Sequence, residues 1–407
     1  MKWKISTLRN FFFTICVIIP FFNNYEISFL AWIIAILFTF KTSYSKDFLF
    51  YLSHFILILL ISFIITWQFE YSLYFIIRDI TYMLKPILGL IIGYQFYKND
   101  IKNPFEFLLK AGIAMATIHL ILVSYGILIE GARNVREIRH YGGFFNDYEI
   151  YALVFLLFRK KLCIQITQQK FYLYLFILSL SAFFYLARTN FIQFFILTIA
   201  LRGFLELNKK NLSYLGAILA ITIISYILIL WYNPKRNGPG VDEFLFKVKN
   251  APIEAFSTKI NRENWKDFHD NYRSYENIRT IQQLEENSSV WFGEGIGSQV
   301  DLKQKVYLGD MELRKISILH NGYMTVLLKS GIIGLLIYLS SILYFFKKYH
   351  SKNQELKTIH QIFIGTGVFL IISNWVFMGF YNPVDTKSLI IGFLFAYKFD
   401  LLKRNQN

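Results

Sequence analysis

About twelve stretches of this chain are apolar over the length a helix needs to cross a bilayer, and that recurrence leaves little choice of fold. A hydrocarbon core takes about 20 apolar residues per helical span, with a range of roughly 17 to 25, and only helices or closed barrels satisfy the backbone inside it. The stretches fall at 9–22, 26–40, 48–66, 73–97, 107–129, 148–164, 171–187, 190–206, 212–232, 321–346, 360–380 and 385–402. Of 407 residues, 55% are hydrophobic, 19% aromatic and only 17% charged, well beyond the apolar share of a soluble domain. The expected fold is therefore all-α: a polytopic integral membrane protein of about twelve transmembrane helices with one large external loop that itself contains helices.

Three regions follow. Residues 1–232 hold about nine spans, residues 233–319 form the only long polar segment, and residues 320–407 hold the last three spans. Met1-Lys2-Trp3-Lys4 before an apolar run looks like a signal peptide, but no small-residue cleavage site follows, so a retained first span is expected. The N-terminus, alternate connections and C-terminus are rich in Lys and Arg, including Lys160, Lys161, Lys209, Lys210, Lys347 and Lys348. That pattern predicts cytoplasmic termini and an external 233–319 segment. The net charge of +16 is mostly this topology signal together with an affinity for anionic lipid, and no basic, aromatic nucleic-acid motif accompanies it. Cys16 and Cys163 lie in expected spans without Cys or His at metal-ligand spacing, which predicts two small buried hydrophobes and neither a disulfide nor a zinc site.

The opposite short connections and span ends hold few basic residues, among them the arginines at 133, 136, 139 and 188. Arg133, Arg136 and Arg139 precede His140-Tyr141-Gly142-Gly143-Phe144-Phe145-Asn146-Asp147. A spacing of three places all three guanidiniums on one face if the segment is helical, and guanidinium matches phosphate oxygens bidentately at any working pH. A solvated loop partly neutralised by Glu130 and Glu137 is the plainer alternative. Arg188 lies in Leu186-Ala187-Arg188-Thr189-Asn190, which interrupts an apolar run from Phe171 to about Leu207; two short spans with a tight turn fit that run. An ionisable residue at such depth points to function, against the alternative of a lipid anchor that snorkels.

The polar segment reads as helical from about Glu254 to Glu286, because Trp265, Phe268, Tyr272 and Tyr275 recur at spacings of three and four. Arg273 and Arg279 lie on it. It closes with Gly293-Glu294-Gly295-Ile296-Gly297-Ser298, which is better read as a tight turn than as a phosphate loop, since no Walker pattern is present. His320-Asn321 then opens a helix that carries Gly331 and Gly334. Asn321 suits the helix cap, the helix dipole and nearby arginines favour the uncharged, proton-accepting His320 ring, and the glycines suit close helix approach.

These residues resemble a family. Gly293 to Gly297 at the end of an outer loop, followed by His320-Asn321 and a helix with Gly331-Ile332-Ile333-Gly334, is similar to the C-terminal signature of the O-antigen ligases and repeat-unit polymerases. Arg139 to Ala152 and Ala187-Arg188-Thr189 resemble the family's other two segments, with Asp147-Tyr148-Glu149 in place of its Pro-Asn pair and Ala187 and Thr189 in place of its Ser and Gly. The resemblance implies glycosyl transfer from an undecaprenyl-pyrophosphate-linked oligosaccharide to a glycan acceptor at the outer face of the bacterial inner membrane. It implies a chain-length regulator protein as a further partner, besides membrane lipid. Under it, His320, Arg188 and Arg273 carry catalysis, and Arg139, Arg136, Arg133, Arg279 and Asn321 bind substrate. Arginines neutralise pyrophosphate by themselves, so no metal and no cofactor are expected. Within the family a polymerase is the preferred reading, with a ligase that transfers the glycan to lipid A core as the alternative. A lipid-linked oligosaccharide flippase is the alternative from another class. It should show internal repeats or broken mid-membrane helices, and the sequence offers only Lys85-Pro86 as a deep candidate.

Overall fold

The computed structural model describes residues 5–22, 24–133, 135–143, 146–185, 187–206, 209–235, 241–250, 268, 271–308, 311–347 and 352–405. All twelve expected spans coincide with helices. The first nine comprise α1 (Ile5–Ile18), α2 (Tyr25–Thr39), α3 (Lys46–Thr66), α4 (Leu73–Phe96), α5 (Pro104–Leu128), α7 (Asp147–Leu157), α8 (Gln168–Phe184), α9 (Arg188–Leu201) and α10 (Lys209–Tyr232), with a short α6 (Val135–Gly142) before α7. The polar segment contributes α11 (Val241–Asn250), α12 (Tyr272–Glu286) and strands β1 (Val300–Leu308) and β2 (Met311–Ile316). The chain closes with α13 (Gly322–Leu343), α14 (Gln354–Phe377) and α15 (Lys387–Arg404). Polar side chains start many of these helices: Asn24, Ser45, Asn146, Thr167 and Asn353 each accept a hydrogen bond from a backbone N–H of the first turn, which satisfies donors a helix start leaves open.

Four helices, α3, α5, α13 and α14, are long and apolar enough to cross a membrane by length and composition, and α13 continues to Phe346 in a 3-10 turn. Shorter apolar stretches fall at Leu8–Phe22, Glu26–Thr39, Arg188–Leu201 and Gly216–Tyr232, and α4, 24 residues long, is interrupted by Arg78, Asp79 and Lys85. The sixth expected span is the clearest departure. α7 has 11 residues, about 17 Å at 1.5 Å per residue, and every side chain from Asp147 to Leu156 is buried. It is an internal half-length helix packed on α5, α8 and α9. The chain then turns through Cys163, which is exposed with φ of 53° and so is not the buried hydrophobe expected from the sequence. Cys16 is buried as expected.

Contacts between distant helix ends sort the bundle into two ends. At one, Arg9 pairs with Asp100 at 2.8 Å, Lys41 donates to the Tyr94 and Tyr97 carbonyls, Lys398 pairs with Asp47, and Lys161 donates to Leu201 O. These contacts gather the starts of α1, α3 and α5 with the ends of α2, α4, α9 and α15, so the Lys- and Arg-rich connections share one end. At the other end, Thr386 and Lys387 at the start of α15 bond Asp147 at the start of α7, and Gly322 packs on Asn374 and Met378 at the end of α14. The polar segment joins α10 to α13 at this second end.

β1 and β2 form an antiparallel hairpin, with Val300 opposite Ile316 and Leu308 opposite Met311 and an irregularity between Asp301 and Val306. Val300, Leu302, Val306 and Ile316 turn inward onto Phe268, Tyr272, Tyr275, Leu319 and Leu328, the period-two burial of a one-faced strand pair. The hairpin was not anticipated in the stretch before His320. The described part of the expected 254–286 helix is α12; residues 254–267, including Trp265, lie outside the described residues.

Candidate functional site

The glycine-rich turn is a structural splice. Gly331 has φ of 63° and ψ of −165° inside α13, a backbone conformation essentially closed to other residues, and the helix breaks there. The turn lies in the break: Ile332 N donates to Val290 O at 2.9 Å and Ile333 N to Trp291 O at 3.2 Å, while Glu294 N and Gly295 N donate to Leu328 O and Lys329 O. A Cβ on Gly331 would sit 2.3 Å from Phe292 N, and one on Gly293 2.6 Å from Ser330 N. Ile296 N donates to Thr66 Oγ1 and Gly297 N to Asp79 Oδ2. Every amide from Gly293 to Gly297 is thus satisfied by protein, so the turn has no donor to spare for phosphate. Gly331 is a docking notch for a loop, not for another span.

Beneath this splice, buried Lys329 Nζ donates to Asp79 Oδ2 at 2.5 Å and to Ser298 O at 2.6 Å. The paired, hydrogen-bonded arrangement is what a buried ion needs. A second buried pair stands beside α7, where Lys387 bonds Asp147 at 2.7 Å, Gly379 O at 2.8 Å and Asp385.

His320 occupies the position just before the N-cap of α13. Asn321 is the N-cap, its Oδ1 accepting from Tyr323 N at 2.9 Å and Met324 N at 3.2 Å, as the sequence predicts. The His320 ring is 45% exposed, and its Nδ1 lies 3.0 and 3.1 Å from the two carboxylate oxygens of Glu276, whose side chain is 1% exposed. The backbone N of His320 also donates to Glu276 Oε2, at 3.0 Å. An ionised carboxylate only accepts, so Nδ1 carries a proton, and in the neutral ring Nε2 then carries the lone pair. Tyr272, one turn before Glu276 on α12, meets the ring edge to face at 5.9 Å. Burial, and then the charge of Glu276, push the Tyr272 phenol well above its ordinary pKa. The sequence places arginines beside this histidine; its bonded neighbour is an acid, and Glu276 is a site residue that sequence reading missed.

The arginines divide. Arg139, in the last turn of α6, and Arg188, at the first position of α9, come close: burial lowers the Arg139 pKa and the Arg188 charge lowers it further. The two like charges act on each other, and guanidinium is the side chain whose geometry matches phosphate oxygens. Arg188 is exposed and Arg139 half-buried. Arg133 lies before α6 and is exposed, its backbone N bonded to Glu137 Oε2, so the helix does not run through all three arginines. Arg136 lies in α6 with its side chain outside the described positions. Arg273 sits half-buried on α12, three residues before Glu276. Arg279 is buried inside the polar domain: its Nε donates to Asp301 O at 3.2 Å, and its Nη1 donates to Gln282 at 2.6 Å and faces Glu286 at 3.8 Å. It ties α12 to β1.

Two amides on α9 extend the arginine end inward. Asn190 is buried with neither side-chain atom hydrogen-bonded, and Gln193 donates to Asp147 O while its Oε1 has no partner. Buried amides with unmet capacity call for an explanation. Polar residues inside an apolar run were visible in the sequence as a signal; Glu276, in an ordinary polar helix, gave none. Among the described residues no group of three or more His, Cys, Asp or Glu is placed to hold a metal ion.

The architecture defines an all-α, polytopic membrane protein with a polar α/β insertion that covers one end of the bundle. Residues 173–339 match the model of the O-antigen ligase family. The match takes in Arg188, Glu276, the glycine-rich turn and His320, and Arg139 lies upstream of it. It supports O-antigen ligase or polymerase activity as a general class. No curated protein and no solved structure matches the chain.

Proposed function

We propose that the protein is a glycosyltransferase that uses a polyprenyl-pyrophosphate-linked glycan, and that it polymerises repeat units of a surface polysaccharide. The observation that carries this reading is the Glu276–His320 pair, which leaves Nε2 as acceptor at the same end of the bundle as the Arg139–Arg188 pair. In the reaction, an acceptor sugar hydroxyl attacks the anomeric carbon of the donor. The bond from that carbon to pyrophosphate breaks, and the hydroxyl proton passes to His320 Nε2. The departing polyprenyl pyrophosphate keeps the electron pair and is held by Arg188 and Arg139, with Arg273 approaching from the polar domain. No step needs a metal, so activity should survive chelators. Asn190 and Gln193 are suited to bind sugar or phosphate oxygens beside the arginines.

The reading places the site end at the outer face of the bacterial inner membrane and the basic end, with both termini, in the cytoplasm. A second reading is a ligase, favoured by the description of the matched family as O-antigen ligase; its acceptor is lipid A core. A gel of surface glycan from a deletion strain separates the two. Core bearing one repeat unit indicates a lost polymerase, bare core with accumulated lipid-linked polymer a lost ligase, and ladders of normal length and amount contradict both.

A further inference from the structure

At the basic end, a cavity of about 570 Å³ opens between the start of α3 and the last turns of α15. Its wall is apolar, formed by Phe395, Phe399 and Leu402, and its mouth is cationic, formed by Lys46, Lys398 and Lys403. Asp47 also reaches it but is engaged by Lys398 at 3.0 Å. Lys46 and Lys403 are exposed and have no acidic partner within 4.0 Å among the described residues. The mouth therefore keeps an excess of two positive charges. Its depth is fixed by α3, a helix long and apolar enough to cross the bilayer whose first residue is Lys46; the lysines stand where hydrocarbon meets water. Phe399 remains 43% exposed on this wall.

An apolar wall below a pair of unmatched ammonium groups, at the level of lipid phosphates, complements one chemistry: an anionic amphiphile with a phosphate head and a hydrocarbon chain. Lysine suits it as a mobile three-donor point charge, and basic pockets between membrane helices are where anionic headgroups settle. We infer that this cavity binds an anionic phospholipid, its phosphate between Lys46 and Lys403 and its chain against Phe395 and Phe399. The inference does not depend on the reaction at the opposite end.

The test uses the full-length protein in phosphatidylcholine nanodiscs doped with phosphatidylglycerol, with retained lipid read by native mass spectrometry. The unaltered protein should retain phosphatidylglycerol over phosphatidylcholine. Lys46→Glu with Lys403→Glu should weaken that retention about tenfold or more and leave melting in pure phosphatidylcholine unchanged. Lys160→Glu, an equal type of charge change elsewhere at the same end, should have little effect. Phe399→Ser should weaken retention with both lysines intact. Equal retention of the two lipids, an equal loss in Lys160→Glu, or full displacement by inorganic phosphate would each overturn the inference.

Discussion

Glu276 holds His320 through two atoms of one residue: the buried carboxylate accepts from the backbone N at 3.0 Å and from ring Nδ1 at 3.0 Å. This couples a helix of the polar domain to the residue before the N-cap of α13. It fixes both the ring plane and the tautomer, the task of the third member of a catalytic triad.

His320→Ala should reduce transfer by about 10² or more, the usual worth of a general base. Glu276→Gln should also lose activity, at least about tenfold, because its single carbonyl oxygen cannot serve both donors: kept on the His320 backbone N–H, it leaves the N–H₂ facing Nδ1, which moves the ring proton to Nε2. Initial rates with a lipid-linked donor check this, with membrane levels of each variant as control. A normal rate in Glu276→Gln would show that the contact serves folding alone.

Arg139 and Arg188 should act on the pyrophosphate as a unit. Arg188→Lys and Arg139→Lys keep the charge and lose the planar fork, so each should slow transfer about tenfold or more. The double variant should be little worse than the worse single, because removing one guanidinium already opens the clamp. Additive losses in a rate assay would place the two residues in separate sites.

Gly331→Ala should lower the yield of folded protein. Its backbone conformation costs any L side chain about 1–3 kcal/mol, and the new Cβ would overlap Phe292 N and the Trp291 carbonyl, 2.3 Å away. Fluorescence-detected size exclusion after a heating series gives the measurement. A wild-type profile would mean that the turn and the helix break are not joined as described.

Lys329→Met strips the buried Asp79 of its hydrogen-bonded counter-ion, leaving Arg78 at 3.6 Å as its remaining cation, and should destabilise by up to about 3–5 kcal/mol. Adding Asp79→Asn should recover much of the loss, since the amide oxygen can still accept from Gly297 N. The same melting assay reads both. No recovery would assign the Lys329 effect to packing.

The hairpin should loosen in acid. Arg314 bonds Asp301 at 3.0 and 3.1 Å and holds its carboxyl below the usual aspartate range. A depressed folded-state pKa stabilises above the unfolded value of about 4, and the contribution is lost as pH falls through the folded value. Both groups are partly exposed, so the effect is small. Backbone hydrogen exchange across β1 and β2 should rise more steeply with acid in the native protein than in Arg314→Ala, where this pH-dependent contribution is already gone.

Much of this protein could be read in the chain. Runs of apolar residues at helical length specify helices, since burial in hydrocarbon leaves the backbone no other partner than itself. Asn321 was legible as a cap because the capping bond is local. Arg139 and Arg188 stood out because charge is rare in such surroundings. The hairpin's alternation at Val300, Asp301 and Leu302 was also present, overshadowed by the helical spacing just upstream.

Sequence alone determined the class, the helix inventory and the side on which the arginines gather, since hydropathy and charge act residue by residue. Tertiary structure alone decided that α7 is an internal half-length helix, because burial depends on which helices surround it. It decided that Gly331 breaks its helix to receive the 291–295 turn, and that Arg279 faces inward while Arg139 approaches Arg188. It also supplied Glu276, 44 positions from His320. A hydrogen bond over that separation exists only once α12, the hairpin and α13 have packed on one another, and no local pattern encodes it.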